Sequence, residues 1–102
     1  MVLTVFRSRL LEEHADEFQA LADEMMALAR SMPGFRSYEV FVSESGERAS
    51  LVEFETAEQL RAWRQHPRHV AAQKLGRERF YEAYTLQVCE PMRESRFERE
   101  AN

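Results

Sequence analysis

The dipeptide Pro33-Gly34 separates two segments of different periodicity and constrains the fold more than any other feature. Before it, apolar residues recur every three or four positions from residue 14 to residue 32, which predicts an amphipathic helix. After it, residues 35–43 alternate as in a β-strand but carry apolar side chains on both faces. Proline fixes one backbone dihedral and glycine accepts a left-handed one, so the pair predicts a sharp change of direction from helix to strand.

Three further strands are predicted around this unit, at residues 2–10, 48–55 and about 80–91. The loop 43–47 contains a glycine and has the length of a hairpin connection between the second and third strands. The four strands therefore include one antiparallel hairpin that directly follows the long helix.

A broken helix is predicted between the third and fourth strands. Thr56 and Gln59 form a capping-box pattern, and the helix that follows would carry Leu60 and Trp63 toward the sheet. A proline at position 67 disfavours helical backbone at the preceding residue and suits the first position of a new helix, which would extend to about residue 77.

The predicted order β-α-β-β-α(α)-β indicates an α+β, ferredoxin-like fold, with a four-stranded antiparallel sheet that carries its helices on one face. A chain of 102 residues has room for one core, which we assign to residues 1–91. Residues 92–102 are mostly charged, and we expect them to form a tail outside this domain.

Composition excludes several classes of function. The chain has 18 acidic against 14 basic residues and a net charge of −4, without the basic stripe of a nucleic-acid-binding surface. No apolar run approaches the ~20 residues of a membrane span, and the first residues lack the features of a signal peptide. Cys89, the single cysteine, cannot form an internal disulfide. We therefore expect a cytoplasmic protein that binds neither nucleic acid nor membrane.

The second face of the predicted sheet is also apolar. On the strand after Gly34, Phe35 and Phe41 point to one side, and Tyr38, Val40 and Val42 point to the other. An apolar patch of several hundred Å² exceeds what soluble monomers usually expose, and its burial would contribute roughly 10 kcal/mol before association costs. The sequence predicts a homodimer in which two sheets face each other.

Three segments, taken in order, resemble the antibiotic biosynthesis monooxygenase domain: residues 33–41 (PGFRSYEVF), 51–58 (LVEFETAE) and 63–69 (WRQHPRH). The resemblance extends over about residues 2–90. It implies a dimeric α/β barrel in which each subunit holds a pocket between its sheet and its helices. The best-known members oxygenate small aromatic substrates with O₂ and without flavin, haem or metal, so no cofactor is expected.

Oxygenation without a cofactor requires a substrate that supplies the electron, such as a phenol, an enol or a quinol. The protein must supply a base, an apolar pocket and donors for the developing charge. His69 matches a histidine common in the family and is the candidate base, with its pKa lowered by the helix N-terminus. Trp63 is the second candidate catalytic residue, as a pocket wall whose N–H orients the substrate. Plain packing roles for both residues remain open.

Tyr38, Tyr81 and Phe41 are the candidate substrate-binding residues. Tyr81 and Tyr84 alternate to opposite faces of the fourth strand, which predicts that at most one of them lines a given pocket. Arg7 and Arg9 in the first strand are alternative anion binders, although such arginines are usually solvated.

Two other site chemistries have weaker support. A metal site is not predicted, because His66 and His69 have no evident third ligand. The haem-degrading branch resembles this chain at Trp63 but also uses an Asn in its first strand and a His about three helical turns after the Trp. The only Asn here is Asn102, and Gln73 occupies the second position, which argues against haem cleavage.

The leading hypothesis is a cofactor-independent monooxygenase acting on a small phenolic, enolic or quinol substrate. The alternative is a non-catalytic or stress-related dimer that holds an apolar metabolite in the same cavity. An isomerase or lyase also remains open, because one fold hosts many reactions.

Overall fold

Four antiparallel strands form a single sheet in the order β2-β3-β1-β4. The structure is a computed structural model that describes residues 1–100. Its elements are β1 (Val2–Leu10), α1 (Ala15–Ser31), β2 (Phe35–Val42), β3 (Arg48–Phe54), α2 (Ala57–Arg64), α3 (Pro67–Leu75) and β4 (Tyr81–Cys89). This order confirms the predicted α+β, ferredoxin-like fold.

The last helix and the last strand both end earlier than predicted, the strand at Cys89 instead of about residue 91. The last helix stops at Leu75 instead of residue 77, and a π-helical segment, Gly76–Phe80, connects it to β4. After β4, residues 90–100 form no helix or strand, and their side chains are exposed. The last two residues of the predicted tail, including Asn102, lie outside the described residues.

The Pro33-Gly34 pair forms the predicted turn. The Phe35 N–H donates to the Met32 carbonyl at 3.3 Å, and Gly34 has a φ of 83°. Proline followed by a residue with positive φ is the arrangement of a type II turn. The Gly34 carbonyl then accepts from the Glu55 N–H at 2.9 Å, which ties the turn to the end of β3.

One half of the predicted capping box forms at the start of α2. The Thr56 hydroxyl accepts from the Gln59 N–H at 3.1 Å. The Gln59 side chain does not return to the Thr56 backbone; it packs over Gly34 instead, where a Cβ would collide with it. The short helix is therefore attached to the turn that ends α1.

The core lies between the sheet and the helices α1 and α2. Leu60 and Trp63, predicted to face inward, are 2% and 4% exposed. They pack with buried residues of α1, β1 and β3: Val2, Ala29, Val52 and Phe54. Complete burial of such side chains contributes roughly 1.5–3 kcal/mol each, so this cluster holds α2 against the sheet.

A β-bulge changes the orientation of side chains at the start of β4. Arg9 pairs with Ala83, but Leu10 pairs with Tyr81, which leaves Glu82 without a partner across the strand pair. An extra residue of this kind reverses the alternation beyond it. Tyr81 is consequently brought to the same face as Tyr84.

The helices cover one face of the sheet, and the other face is open in the described chain. The open face carries Leu3 and Val5 from β1, Leu51 from β3 and Phe41 from β2, which is 55% exposed. The helix-covered face carries the alternate residues of the same strands and also Phe35, because a bulge between Phe35 and Ser37 turns Phe35 onto Phe54. The prediction that Phe35 and Phe41 point to the same side is therefore wrong. None of the helices within residues 1–100 has the length and hydrophobicity to cross a membrane.

The turn at Gly34 provides a test of the packing between α1 and α2. We expect Gly34→Ala to lower the free energy of unfolding by about 1–2 kcal/mol from its left-handed backbone, and by a smaller further amount because the new Cβ displaces the flexible Gln59 amide from its packing over the turn. Urea denaturation measures the change.

Gly46→Ala is the matched control, because Gly46 has a φ of 90° but no atom within 4 Å of a Cβ placed there. It should show the backbone cost only. A loss at Gly34 no larger than the loss at Gly46 would contradict the proposed role of the Gln59 contact.

Candidate functional site

A cavity of about 270 Å³ lies between the helix-covered face of the sheet and helices α1, α2 and α3. Its wall combines apolar and aromatic side chains with a few polar groups, the composition typical of small-molecule sites. Its charged, polar and aromatic lining residues include Tyr38, Arg48, Trp63, Arg64, His69, Gln73, Arg77, Tyr81 and Tyr84.

The joint between α2 and α3 brings the two predicted catalytic residues together. The Nδ1 of His66 accepts from the Arg68 N–H at 3.2 Å and caps α3, while Pro67 occupies the first helical position. The ring centroids of Trp63 and His69 lie 4.4 Å apart across this joint, at an interplanar angle of 58°. Both rings line the cavity.

His69 is neutral at physiological pH. Burial lowers its pKa from 6.5 to about 4, with smaller lowering contributions from the charges of Arg64 and His66 and a raising contribution from a hydrogen bond to the Arg64 backbone. The sequence predicted the direction of this shift but attributed it to the helix N-terminus. The structure gives burial as the principal cause.

Gln73 bears on the tautomer of His69. Its side-chain nitrogen lies 3.1 Å from the His69 Nδ1, one helical turn along α3. If the amide nitrogen donates, Nδ1 carries the lone pair; if the amide is reversed, its oxygen accepts from an Nδ1–H and the lone pair moves to Nε2. Gln73 therefore couples the orientation of its amide to the tautomer of the imidazole.

Trp63 serves the core and the cavity at the same time. Its ring stacks on Phe54 at 5.9 Å and meets Tyr38 edge-on at 6.1 Å. Its indole N–H is buried and has no hydrogen-bond partner among residues 1–100. Buried donors of this kind are usually satisfied, so a ligand acceptor in the cavity would complete its hydrogen bonding.

Both tyrosines of β4 line the cavity, and the prediction that at most one would do so is wrong. The bulge at Glu82 places Tyr81 and Tyr84 on one face, with ring centroids 5.5 Å apart. Each also contacts Phe6, at 5.4 and 5.2 Å. Burial raises the pKa of Tyr81 to about 12 and raises the pKa of Tyr38, so both phenols remain protonated donors.

The structure does not bring Phe41 into this site. Phe41 pairs with Ala49 on the open face of the sheet, whereas Tyr38 of the same strand pairs with Val52 on the cavity face. Odd and even residues of a strand point to opposite sides, so Phe41 and Tyr38 cannot line one pocket. Arg7 and Arg9 lie on the open face as well and bond to Glu47 and Ser45.

Sequence reasoning missed the arginines of the cavity. Arg48, Arg64 and Arg77 contribute to its wall, which contains no aspartate or glutamate. Arg48 had a detectable signal, because it shares the strand phase of the apolar residues Val52 and Phe54. No group of three or more His, Cys, Asp or Glu side chains within the described residues could hold a metal ion.

Comparison with solved structures shows the same fold in several proteins. Rv0793 from Mycobacterium tuberculosis superposes with a TM-score of 0.80 at 22% identity, covering 93% of this chain and 98% of that one. SnoaB, a cofactor-independent oxygenase from Streptomyces nogalater, superposes with a TM-score of 0.76 at 13% identity, covering 91% and 94%. At these identities the comparisons establish the fold alone.

Sequence comparison identifies a relative and a family for this chain. The uncharacterized protein YqjZ from Bacillus subtilis is 28% identical over 98 residues, which cover 96% of this chain and 86% of YqjZ. The sequence profile of the antibiotic biosynthesis monooxygenase family matches residues 1–75, a segment that includes Trp63 and His69. The chain belongs to the antibiotic biosynthesis monooxygenase family.

Proposed function

We propose that this protein is a cofactor-independent monooxygenase acting on a small phenolic, enolic or quinol substrate. The observation that carries the proposal is a neutral, partly buried His69 imidazole in contact with Trp63, in the wall of a cavity lined by aromatic side chains. Membership of the family and the shared fold with SnoaB, a cofactor-independent oxygenase, support the same reaction class.

His69 would accept the proton of the substrate hydroxyl. The resulting phenolate or enolate is electron-rich and can give up an electron to O₂, which needs no external reductant. For a phenol such as 1-naphthol, one O₂ replaces a ring C–H by a carbonyl and the second oxygen atom leaves as water, so the products are 1,4-naphthoquinone and H₂O. The neighbouring Arg64 and the Trp63 N–H would stabilise the developing negative charge.

We also propose that two copies associate through the open sheet face. Leu51 lies at its centre, paired with Val5 on one side and Glu39 on the other. Phe41 extends the apolar surface toward the edge and is better suited to this interface than to the substrate site. Burial of such surface is the main favourable contribution to association.

A binding protein without turnover is the second candidate. One observation favours it: the His69 Nδ1 is already engaged by Gln73, and a pKa of about 4 makes the imidazole a weak base. The cavity would then bind an aromatic metabolite through the same residues, and replacing His69 would alter affinity without affecting any reaction.

Incubation with 1-naphthol and a hydroquinone panel tests the oxygenase reaction. We expect product in air, none without O₂, and one ¹⁸O atom per quinone formed from 1-naphthol under ¹⁸O₂. His69→Gln should lower kcat/KM by roughly 10²–10⁴, the usual contribution of a general base. His14→Asn, at an exposed histidine, is the control and should retain activity.

Other outcomes separate the alternatives. Ligand-dependent thermal stabilisation without turnover would support the binding protein, and product without O₂ consumption would indicate an isomerase or lyase. Equal yields with and without O₂ would defeat the oxygenase proposal.

The pKa of His69 predicts how stability depends on pH. In the unfolded chain the imidazole binds a proton below pH 6.5, but in the fold it does so only below about pH 4. Stability is therefore lost as the pH falls through this window, by about 2 kcal/mol between pH 7 and pH 4.5. Urea denaturation of the wild type and of His69→Gln at both pH values measures this effect. The loss of unfolding free energy between pH 7 and pH 4.5 should be smaller in the variant by the same amount. Parallel curves would contradict the burial of a neutral imidazole.

The open face predicts the oligomeric state. We expect Leu51→Glu to convert a dimer into a monomer, as measured by light scattering at micromolar concentration, because it places a charge at the centre of the proposed interface. Leu11→Glu makes the same chemical change at a loop position that is 44% exposed and should leave the dimer intact. A wild-type protein that is monomeric at this concentration would refute the interface.

A further inference from the structure

The cavity contains three cationic side chains and no anionic one. Arg48, Arg64 and Arg77 line it, and none of the three forms an ion pair within residues 1–100. The Nε of Arg64 is buried and lacks a hydrogen-bond partner in the same part of the chain. Unpaired, partly desolvated guanidinium groups are costly, so the cavity is poised to receive a negative charge.

A shortage of acids does not explain these unpaired arginines. Acidic residues outnumber basic ones by 18 to 14, and four arginines outside the cavity, Arg7, Arg36, Arg68 and Arg79, each contact a glutamate, whereas exposed arginines such as Arg30 and Arg61 form no ion pair within residues 1–100. Glu12 and Glu13 even border a hollow next to Arg48 without forming an ion pair with it. The charge of the cavity is thus a local property of its wall.

The two better buried arginines lie at different ends of the cavity. Arg64 ends α2 beside the Trp63–His69 pair, and its charge acts on His69. Arg48 begins β3 on the opposite wall, with its guanidinium carbon 5.0 Å from the centre of the Phe18 ring. The charge of Arg48 acts on Tyr38 and Tyr81 but is not among the charges that act on His69.

Hydroxyl donors gather at the Arg48 end. Ser50 follows Arg48 on the same face of β3, and Tyr38 of β2, which pairs with Val52, reaches Ser50 through its side chain. Tyr81 enters from β4 because of the bulge. A guanidinium near two protonated phenols and a serine hydroxyl offers several hydrogen-bond donors, and no negatively charged side chain competes for them. This is the chemistry that binds a carboxylate.

We propose that Arg48, with Tyr38 and Tyr81, forms a carboxylate-binding subsite, so that the preferred ligand is a small hydroxyaryl carboxylate. The hydroxyl group of such a ligand would lie toward His69 and Arg64, and its carboxylate toward Arg48. This inference rests on the proposed function in taking the same cavity as the ligand site. It adds a specificity-determining residue, Arg48, that takes no part in the proton transfer.

The test compares three probes that share one ring system: 6-hydroxy-2-naphthoate, its methyl ester and 2-naphthol. Calorimetric titration without O₂ gives the Kd of each for the full chain. We expect the wild type to bind the carboxylate about 10-fold or more tightly than the ester, as one charge-assisted hydrogen-bonded pair provides. Arg48→Gln should remove this preference while changing the Kd of the ester little.

Matched variants test whether Arg48 is the source of the preference for the carboxylate probe. Arg61→Gln, at an exposed arginine one turn before Arg64, should keep the full preference, and Arg48→Lys should keep part of it because one charge remains. If Arg48→Gln does not fold, as judged by its thermal unfolding, the reduced carboxylate preference of Arg48→Lys tests the subsite instead.

Equal binding of carboxylate and ester by the wild type would overturn the subsite, and so would failure of all three probes to bind. A preference that survives in Arg48→Gln but disappears in Arg64→Gln would overturn the assignment to Arg48. Since binding is measured without turnover, these outcomes are independent of the O₂ experiment. An oxygenase that prefers neutral phenols would refute only this inference.

Discussion

The joint between α2 and α3 determines where the candidate site lies. Without the break at Pro67, a continuous helix would carry the residues after Trp63 past the sheet, and His69 would not return to the indole ring. The His66 cap and the proline at the first helical position fix where the helical structure resumes. Helix α3 then leaves open space above the sheet, and that space is the cavity.

The proposed oxygenation would depend on the cations of the cavity more than on its base. Moving a proton from a phenol, with a pKa near 10, to His69, with a pKa of about 4, costs about 8 kcal/mol. Turnover at about 10 s⁻¹ allows a total barrier of about 16 kcal/mol, so this step would use half of it. In the proposed reaction Arg64 would lower this cost by stabilising the phenolate, and the absence of a carboxylate from the cavity wall would strengthen its effect. Under the proposed function, acidic enols and activated phenols would be better substrates than simple phenols, because their deprotonation costs less free energy.

Sequence patterns predicted the fold more completely than the site. The two periodicities around Pro33-Gly34, and the cap at Thr56, depend on neighbouring residues and are visible locally. The bulge at Glu82 is different, since it arises from the pairing of β4 with β1 and reverses the face of Tyr81. The partial burial of His69 likewise depends on how the sheet and the three helices enclose the cavity together. Long-range pairing therefore set the features that local alternation and helix position could not predict.

Strand β3 shows how one layer holds both a core and a cavity. On its helix-covered face the side chains change from apolar to polar along the strand, from Phe54 and Val52 to Ser50 and Arg48. Helix α2 packs on the apolar end, where Trp63 stacks on Phe54, and the polar end faces the open space. Trp63 spans the boundary, so the packing that stabilises α2 also orients the aromatic wall. The rigidity of the site is then a direct consequence of the core, and the cavity needs no separate scaffold.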